Sequence, residues 1–198
     1  MSQSTIVHDN EQDNSKVQLG FWIYLMTDCI LFASLFAAYA VLRNSTNGGA
    51  SASEIFSMPY VLVETILLLT SSFTAGIALL MARRQQTHTA IIFLGTTFLL
   101  GAAFLGMELH EFVNLASEGN SWRESAFLSA FFTLVGTHGL HILVGLIWLV
   151  TLLPKLMTTK ADPTTLKRLS LFSMFWHFLD VVWIFIFTIV YLIGDKPL

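Results

Sequence analysis

Residues 126–153 read AFLSAFFTLVGTHGLHILVGLIWLVTLL, an apolar run that contains no Asp, Glu, Lys or Arg. At a rise of about 1.5 Å per residue, a helix of roughly 20 residues crosses the hydrocarbon core of a bilayer. This run is longer than that, and it lacks the alternation of polar and apolar residues that is typical of a membrane barrel strand. It therefore predicts a membrane-spanning helix.

Four other apolar runs have the same character, at 19–42, 60–82, 90–113 and 169–193. Hydrophobic residues make up 55% of the 198 residues and charged residues only 12%, which is too little charge to cover a water-soluble globule of this length. We therefore predict an all-α fold, a polytopic membrane protein with a five-helix transmembrane domain at 19–194. Residues 1–18 are expected to form a disordered cytoplasmic tail, and residues 195–198 a short C-terminal tail.

The basic residues predict the orientation of this bundle. The side that carries the N-terminus would hold seven of them, and the opposite side three, and cytoplasmic loops are enriched in Lys and Arg. The N-terminus is therefore predicted to be cytoplasmic and the C-terminus periplasmic. The seven are Lys16, Arg83, Arg84, Lys155, Lys160, Lys167 and Arg168, and the three are Arg43, Arg123 and Lys196.

Several function classes are excluded by composition and motifs. The formal net charge of -3 and the absence of a Lys/Arg run argue against a nucleic-acid partner. The single cysteine, Cys29, excludes an internal disulfide and a zinc site built from cysteines. No nucleophile with an attendant base, phosphate-binding glycine loop or dinucleotide fingerprint occurs, so no catalytic residue is expected in this chain.

Five ionisable side chains lie deep inside the predicted spans. Counting the helical rise places four of the five in one central layer of the membrane. Because a lone charge at mid-bilayer costs several kcal/mol, we expect these groups to face the bundle interior and to pair across the first, fourth and fifth helices. They are Asp28, His138, His141, His177 and Asp180.

Three interpretations of this polar network remain open. It is a structural lock between helices, a site for a lipid headgroup or a proton relay, or a haem or metal site in which His141 and His177 face one another. Nearby carboxylates offer each imidazole a partner without a cofactor.

Other polar and aromatic side chains are candidate contacts with lipid or a partner protein. Depth counting places Glu108 and Glu111 near the outer interface, and Glu64 is expected to reach the headgroups. A glutamate pair with a nearby histidine is also found in di-iron sites, but the second Glu-x-x-His motif is missing, so no metal is expected. The full set is Glu64, Glu108, Glu111, Arg83, Arg84, Trp176 and Trp183.

Two motifs carry a family resemblance. Gly136-Thr-His-Gly-Leu-His141, followed by Phe175-Trp-His-Phe-Leu-Asp-Val-Val-Trp183, closely resembles the pair of signatures of subunit III of the haem-copper terminal oxidases. The segments 21–32 and 101–112 are similar to two further helices of that family, with Asp28 in the position of its buried acid. The resemblance covers about 19–194. Asp28, the sequence Val61-Leu-Val-Glu-Thr65 and the five-helix length look most like the bacterial cytochrome bo-type ubiquinol oxidases.

The resemblance implies an accessory subunit of a respiratory ubiquinol oxidase that reduces O2 to water and pumps protons across the bacterial inner membrane. It implies that the haems and copper belong to the catalytic subunit I, that this chain holds no cofactor, and that it binds phospholipid and stabilises its partner. Two alternatives stay open from the residues: a haem-binding membrane anchor subunit of a respiratory dehydrogenase, and a small transporter.

Overall fold

The fold is a bundle of five long helices. The computed structural model describes residues 3–46, 58–117, 119, 122–159 and 162–193, and every regular element within them is helical. Each helix contains a stretch long and apolar enough to cross a membrane, so the predicted five-span membrane fold is confirmed. The helices are α1 (Gln3–Leu42), α2 (Met58–Arg83), α3 (Thr87–Ser117), α4 (Ala126–Thr159) and α5 (Pro163–Ile186), and α5 continues as a π-helical segment, Phe187–Leu192.

The helices are longer than the predicted spans. The clearest difference is α1, which begins at Gln3, so residues 3–18 are helical where a disordered tail was predicted. Extending a helix that an apolar span has already nucleated costs less than starting a new one. The apolar part of α1 begins at Ser15. The predicted tail 195–198 lies outside the described residues.

Local hydrogen bonds set several helix ends. Asp162 caps α5, accepting a hydrogen bond from the Thr164 backbone N–H at 3.3 Å, and Pro163 follows it at the first helical position. Ser125 caps α4 through a 3.1 Å bond from the backbone N–H of Leu128. These caps satisfy N–H groups that have no partner within the helix.

The turn between α2 and α3 is a C-terminal cap made without glycine. Gln85 has a φ of 61°, in the left-handed region. The backbone N–H of Gln86 donates to the carbonyl of Met81, and that of Gln85 donates to the carbonyl of Ala82, both at 3.0 Å. This pair of bonds is the Schellman arrangement, which normally favours glycine at the left-handed position. It turns the chain sharply, so that α3 returns beside α2.

Helix α5 is central and α1 is peripheral. In the most apolar part of α5, 44% of the residues are buried, whereas in that of α1 only 22% are buried. α5 packs against α2 and α4, whereas α1 packs mainly against α4 and α5. α2 and α3 pack against each other, and both bury small residues, which let backbones approach closely without a large hydrophobic driving force in lipid. These residues include Ala75, Ala78, Ala82 and Ala90.

The π-helical segment joins the end of the chain to α1. The backbone N–H of Ile193 donates to the carbonyl of Thr188 at 3.0 Å, five residues earlier. The hydroxyl of Tyr39 on α1 donates to the carbonyl of Val190 at 3.4 Å. π-Helical segments widen a helix and often occur at functional sites. This one buries the side chain of Tyr191 beside α3.

Candidate functional site

An acid and an imidazole connect α1 to α4. Oδ2 of Asp28 lies 3.7 Å from Nε2 of His141, and Asp28 is 6% exposed. Nδ1 of His141 lies 2.7 Å from the carbonyl oxygen of Thr137. Because a carbonyl only accepts, Nδ1 carries the hydrogen of that bond. The remaining ring nitrogen is therefore the one that faces the acid.

The charges of the two groups decide whether this approach is attractive. A neutral imidazole with its hydrogen on Nδ1 presents a lone pair at Nε2, which would repel an ionised Asp28. The contact is attractive only when His141 is an imidazolium or Asp28 is a neutral acid. The two side chains thus bring α1 and α4 together, while Oδ2 of Asp28 has no hydrogen-bond partner within the described residues.

His138 lies one helical turn from His141 but has a different environment. It is fully buried, and its ring stacks on Trp183 with centroids 5.3 Å apart and planes 29° apart. Phe104 meets it edge-on at 5.9 Å. Neither ring nitrogen has a hydrogen-bond partner within the described part of the chain. The ring of Phe32 lies beside both imidazoles, 5.3 Å from His141 and 6.4 Å from His138.

The side chains of His177 and Asp180, both on α5, contact a residue of α2 rather than residues of α1 or α4. Nδ1 of His177 lies 2.5 Å from the hydroxyl oxygen of Ser72, and Asp180 also hydrogen-bonds to Ser72. The His177 ring is near Gly76 on the same face of α2, because a Cβ at Gly76 would lie 3.7 Å from Nε2. The three side chains Ser72, His177 and Asp180 form what we call the α2–α5 polar patch.

The five predicted residues thus divide into separate groups. Asp28 pairs with His141, His177 and Asp180 join Ser72, and His138 packs among aromatic rings. His177 was expected to face the bundle interior, but its side chain is exposed on the outside of the bundle. The direction in which α5 presents that face depends on its rotation against α2, which helical spacing alone does not determine.

Three glutamates that were expected to reach headgroups or water are instead packed wholly or partly inside the bundle. Glu64 is 0% exposed and Glu108 is 2% exposed, and Glu111 is partly buried. The hydroxyl of Tyr191 lies 3.2 Å from Oε2 of Glu111 and donates to it. The burial of the three glutamates depends on how α2 and α3 rotate against α4, which a count of residues along one helix does not show.

Trp176 and Trp183 were predicted to contact lipid or a partner, and both are buried, at 1% and 0% exposed. The indole N–H of Trp183 donates to the hydroxyl of Thr65 at 3.1 Å. Phe104 packs edge-on against the same indole, with ring centroids 4.7 Å apart. The tryptophans therefore bind α5 to α2 and α3 within this chain.

Trp176 fits between two glycines. A Cβ at Gly101 on α3 would lie 2.8 Å from Cζ2 of the indole, and a Cβ at Gly145 on α4 would lie 2.7 Å from Cζ3. Both distances are shorter than any normal carbon contact, so neither position has room for a side chain. The indole fills the space that the two glycines leave.

Arg83 and Arg84 are exposed at the end of α2, at the turn before α3. Their side chains lie where a headgroup or a partner protein has access. Whether they make such contacts stays a prediction.

The hydroxyl partners of the site were not predicted from the sequence. Ser71 and Ser72 form a polar pair inside an otherwise apolar span, and Thr65 precedes them on the same helix. Hydroxyl side chains in membrane helices commonly hydrogen-bond across helix contacts. The Ser-Ser pair within an apolar run was the signal available.

Comparison with known proteins gives one consistent result. A sequence model described as cytochrome c oxidase subunit III matches residues 2–195. The chain is 54% identical over 188 residues to the cytochrome bo(3) ubiquinol oxidase subunit 3 of Pseudomonas aeruginosa, covering 94% of this chain and 90% of that protein. It is 47% identical over 176 residues to the quinol oxidase subunit 3 of Bacillus subtilis, covering 89% and 86%. It is also 47% identical over 176 residues to the cytochrome c oxidase subunit 3 of Bacillus sp. PS3, covering 89% and 85%.

Proposed function

Because the chain belongs to the cytochrome c oxidase subunit III family, we propose that it stabilises the catalytic subunit of a quinol-oxidising, proton-pumping complex in a bacterial inner membrane. The family assignment made from the two histidine motifs is confirmed. The chain is a multi-pass membrane protein and an accessory subunit of a haem-copper oxidase, in a complex with other oxidase subunits. The names of its relatives do not support a dehydrogenase anchor.

The electron donor is part of the proposal. The relatives include proteins named for ubiquinol, for quinol and for cytochrome c. We assign ubiquinol because the relative with 54% identity over almost the whole chain carries that name. The quinone chemistry, the haems and the copper are assigned to the catalytic subunit. The histidines of this chain support that division: His141 faces Asp28, His177 faces Ser72, and His138 packs among aromatic rings.

The α2–α5 polar patch is the observation that supports docking on a partner. His177 lies in the middle of the last span, and its imidazole faces outward. Polar groups at this depth are costly in lipid, and they usually face other protein or water. A hydrogen-bonding group from a partner helix would satisfy the imidazole. We therefore propose that the catalytic subunit covers this face of α2 and α5.

Phospholipid is assigned to the opposite, α1 side of the bundle. The outward surface of α1 is apolar and aromatic in its first membrane turns, with Trp22 at 47% and Tyr24 at 41% exposure. Aromatic side chains of this kind are enriched at the level of lipid headgroups. The proposed orientation puts the N-terminus in the cytoplasm, where Arg83 and Arg84 would face anionic headgroups of the same leaflet.

A pair of variants tests the docking face. His177→Leu removes the hydrogen-bonding ring from the patch, and Val181→Leu changes an exposed residue one turn further along α5 without removing a polar group. The oxidase complex would be purified in mild detergent, and the amount of this chain per catalytic subunit measured.

We expect His177→Leu to lose the subunit during washing and Val181→Leu to retain it. Equal retention in both would contradict this docking face. A haemochrome spectrum of the isolated chain tests the division of cofactors, because a haem band would contradict the assignment of haem to the partner.

A further inference from the structure

Two carboxyl groups on neighbouring helices are buried without hydrogen-bond partners. Glu64 on α2 and Glu108 on α3 are 0% and 2% exposed. None of their four carboxyl oxygens has a partner within the described residues. A polar group that is buried unsatisfied costs free energy, and an unpaired charge costs far more. These two side chains therefore need a ligand that supplies hydrogen-bond donors or positive charge.

The carboxyl of Glu108 is enclosed by the backbone of α4. A Cβ built on Gly139 would lie 2.6 Å from Oε1 and 2.7 Å from Oε2 of Glu108. Both oxygens thus rest on a glycine that leaves just enough room for them. This contact places the acid against the backbone of α4 inside the bundle.

The titratable groups that act on the carboxyl of Glu108 are acids, and the imidazole of His110 packs against Tyr60 with ring centroids 6.4 Å apart. Glu64 and Glu111 act electrostatically on Glu108, and Tyr191 from the π-helical segment interacts with all three acids. Tyr60 on α2 interacts with Glu64 and Glu111. Within the described residues, no ion pair connects any of the three carboxyls to Lys, Arg or His. Three ionised carboxylates would repel one another here without compensation.

From this geometry we infer that Glu64 and Glu108 form a proton-binding site, in which the pair holds at least one proton at neutral pH. A proton converts an acceptor-only carboxylate into a group that also donates, so it removes charge and satisfies an acceptor in one step. It is also the smallest ligand, which agrees with the tight contact at Gly139. The site is separate from the pair formed by Asp28 and His141 on α1 and α4.

Glu111 connects this site to the surface. It lies one helical turn after Glu108 on α3, its side chain is partly exposed, and it accepts a hydrogen bond from Tyr191. Residues three apart in a helix are neighbours on one face. Protons therefore enter and leave the buried pair through Glu111, at the end of the bundle opposite the turn between α2 and α3.

Infrared spectroscopy of the assembled oxidase complex tests this inference. A protonated carboxyl gives a C=O stretching band that an ionised carboxylate lacks, and the band shifts in D2O. Spectra of the wild type would be compared at neutral pH with Glu64→Gln, Glu108→Gln and the double variant. The matched control is Glu124→Gln, which changes an exposed glutamate between α3 and α4.

We expect the wild-type spectrum to contain a deuterium-sensitive carboxyl band that the double variant loses and Glu124→Gln retains. Gln is a neutral isostere of a protonated Glu, so the single variants should keep the subunit in the complex. A wild-type minus double-variant spectrum with carboxylate bands alone would overturn the site. Loss of the subunit in both single variants would overturn it as well, because it would show that the charge itself is required.

Discussion

The indole N–H of Trp176 donates to the hydroxyl of Ser71 at 3.1 Å, across the contact between α5 and α2. The same indole fills the space left by Gly101 on α3 and Gly145 on α4. One side chain therefore touches three helices other than its own. Large aromatic side chains contribute much of the packing free energy of a core, so Trp176 should be a position where small changes have large effects.

A methyl group at Gly101 should destabilise the bundle. Gly101→Ala places a Cβ 2.8 Å from the indole of Trp176, and overpacking of this kind costs about 1–3 kcal/mol. Gly95→Ala, on the same helix, is the matched control, because a Cβ there meets nothing within 4 Å. Its expected effect is neutral or slightly stabilising, since Ala is a better helix former than Gly. Thermal dissociation of this subunit from the purified complex measures both, and equal midpoints for the two variants would contradict the prediction.

Removing the acceptor of the indole should also weaken the bundle. Ser71→Ala leaves the buried N–H of Trp176 without its partner, which costs about 1–3 kcal/mol. Trp176→Phe removes the donor together with part of the packing and should cost more. In the double variant, the loss from Ser71→Ala should largely disappear, because no donor remains to be left unsatisfied. Additive shifts in the midpoint of thermal dissociation would show that the hydrogen bond contributes little.

Asp28 should be replaceable by Asn but not by Leu. Nε2 of His141 needs a hydrogen from its neighbour when the ring is neutral, and the side-chain amide introduced by Asp28→Asn would supply one. Asp28→Leu leaves the imidazole facing an apolar group, which should reduce retention of the subunit, lipid retention and the lifetime of the enzyme in turnover. Asp180→Leu should act similarly at Ser72. If all three measurements match the wild type for both Leu variants, these polar contacts do not stabilise the assembly.

Glycine at position 85 should stabilise the turn between α2 and α3. Gln85 adopts a φ of 61°. This left-handed backbone conformation has a higher free energy for a residue with a Cβ than for glycine. Gln85→Gly is therefore expected to gain about 0.5–1 kcal/mol. Gln86→Gly is the control, because no left-handed φ is found at position 86 and glycine there only adds freedom to the unfolded chain. A lower thermal midpoint for Gln85→Gly than for the wild type would contradict this account.

The five-span fold could be predicted because continuous apolar runs of this length have few other stable outcomes in a cell. Helix ends were less predictable, since polar residues such as Glu11 and Gln12 continue a helix that an apolar span has already nucleated. The family could be recognised from the motifs around His138 and His177, because those residues occur at fixed spacing on two helices.

The candidate site was predicted only in part. The cost of charge at mid-membrane predicted a network of five residues across three helices, and the structure brings Asp28 and His141 to within 3.7 Å while separating the others from them. The burial of Glu64 and Glu108 did not follow, because it depends on how α2 and α3 rotate against α4, where Gly139 leaves space for a carboxyl. Rotation of one helix about its axis is a property of the packed bundle, and a single sequence contains no direct measure of it.

The position of α1 at the edge of the bundle has a consequence for biosynthesis. This helix is made before α2 to α5, yet the groups that hold it, His141 and the carbonyl of Val190, lie on α4 and on the π-helical segment. The hairpin of α2 and α3 can associate as soon as it enters the bilayer, whereas Asp28 on α1 meets His141 only after α4 has been made. α1 thus reaches its permanent neighbours later than α2 and α3 reach each other.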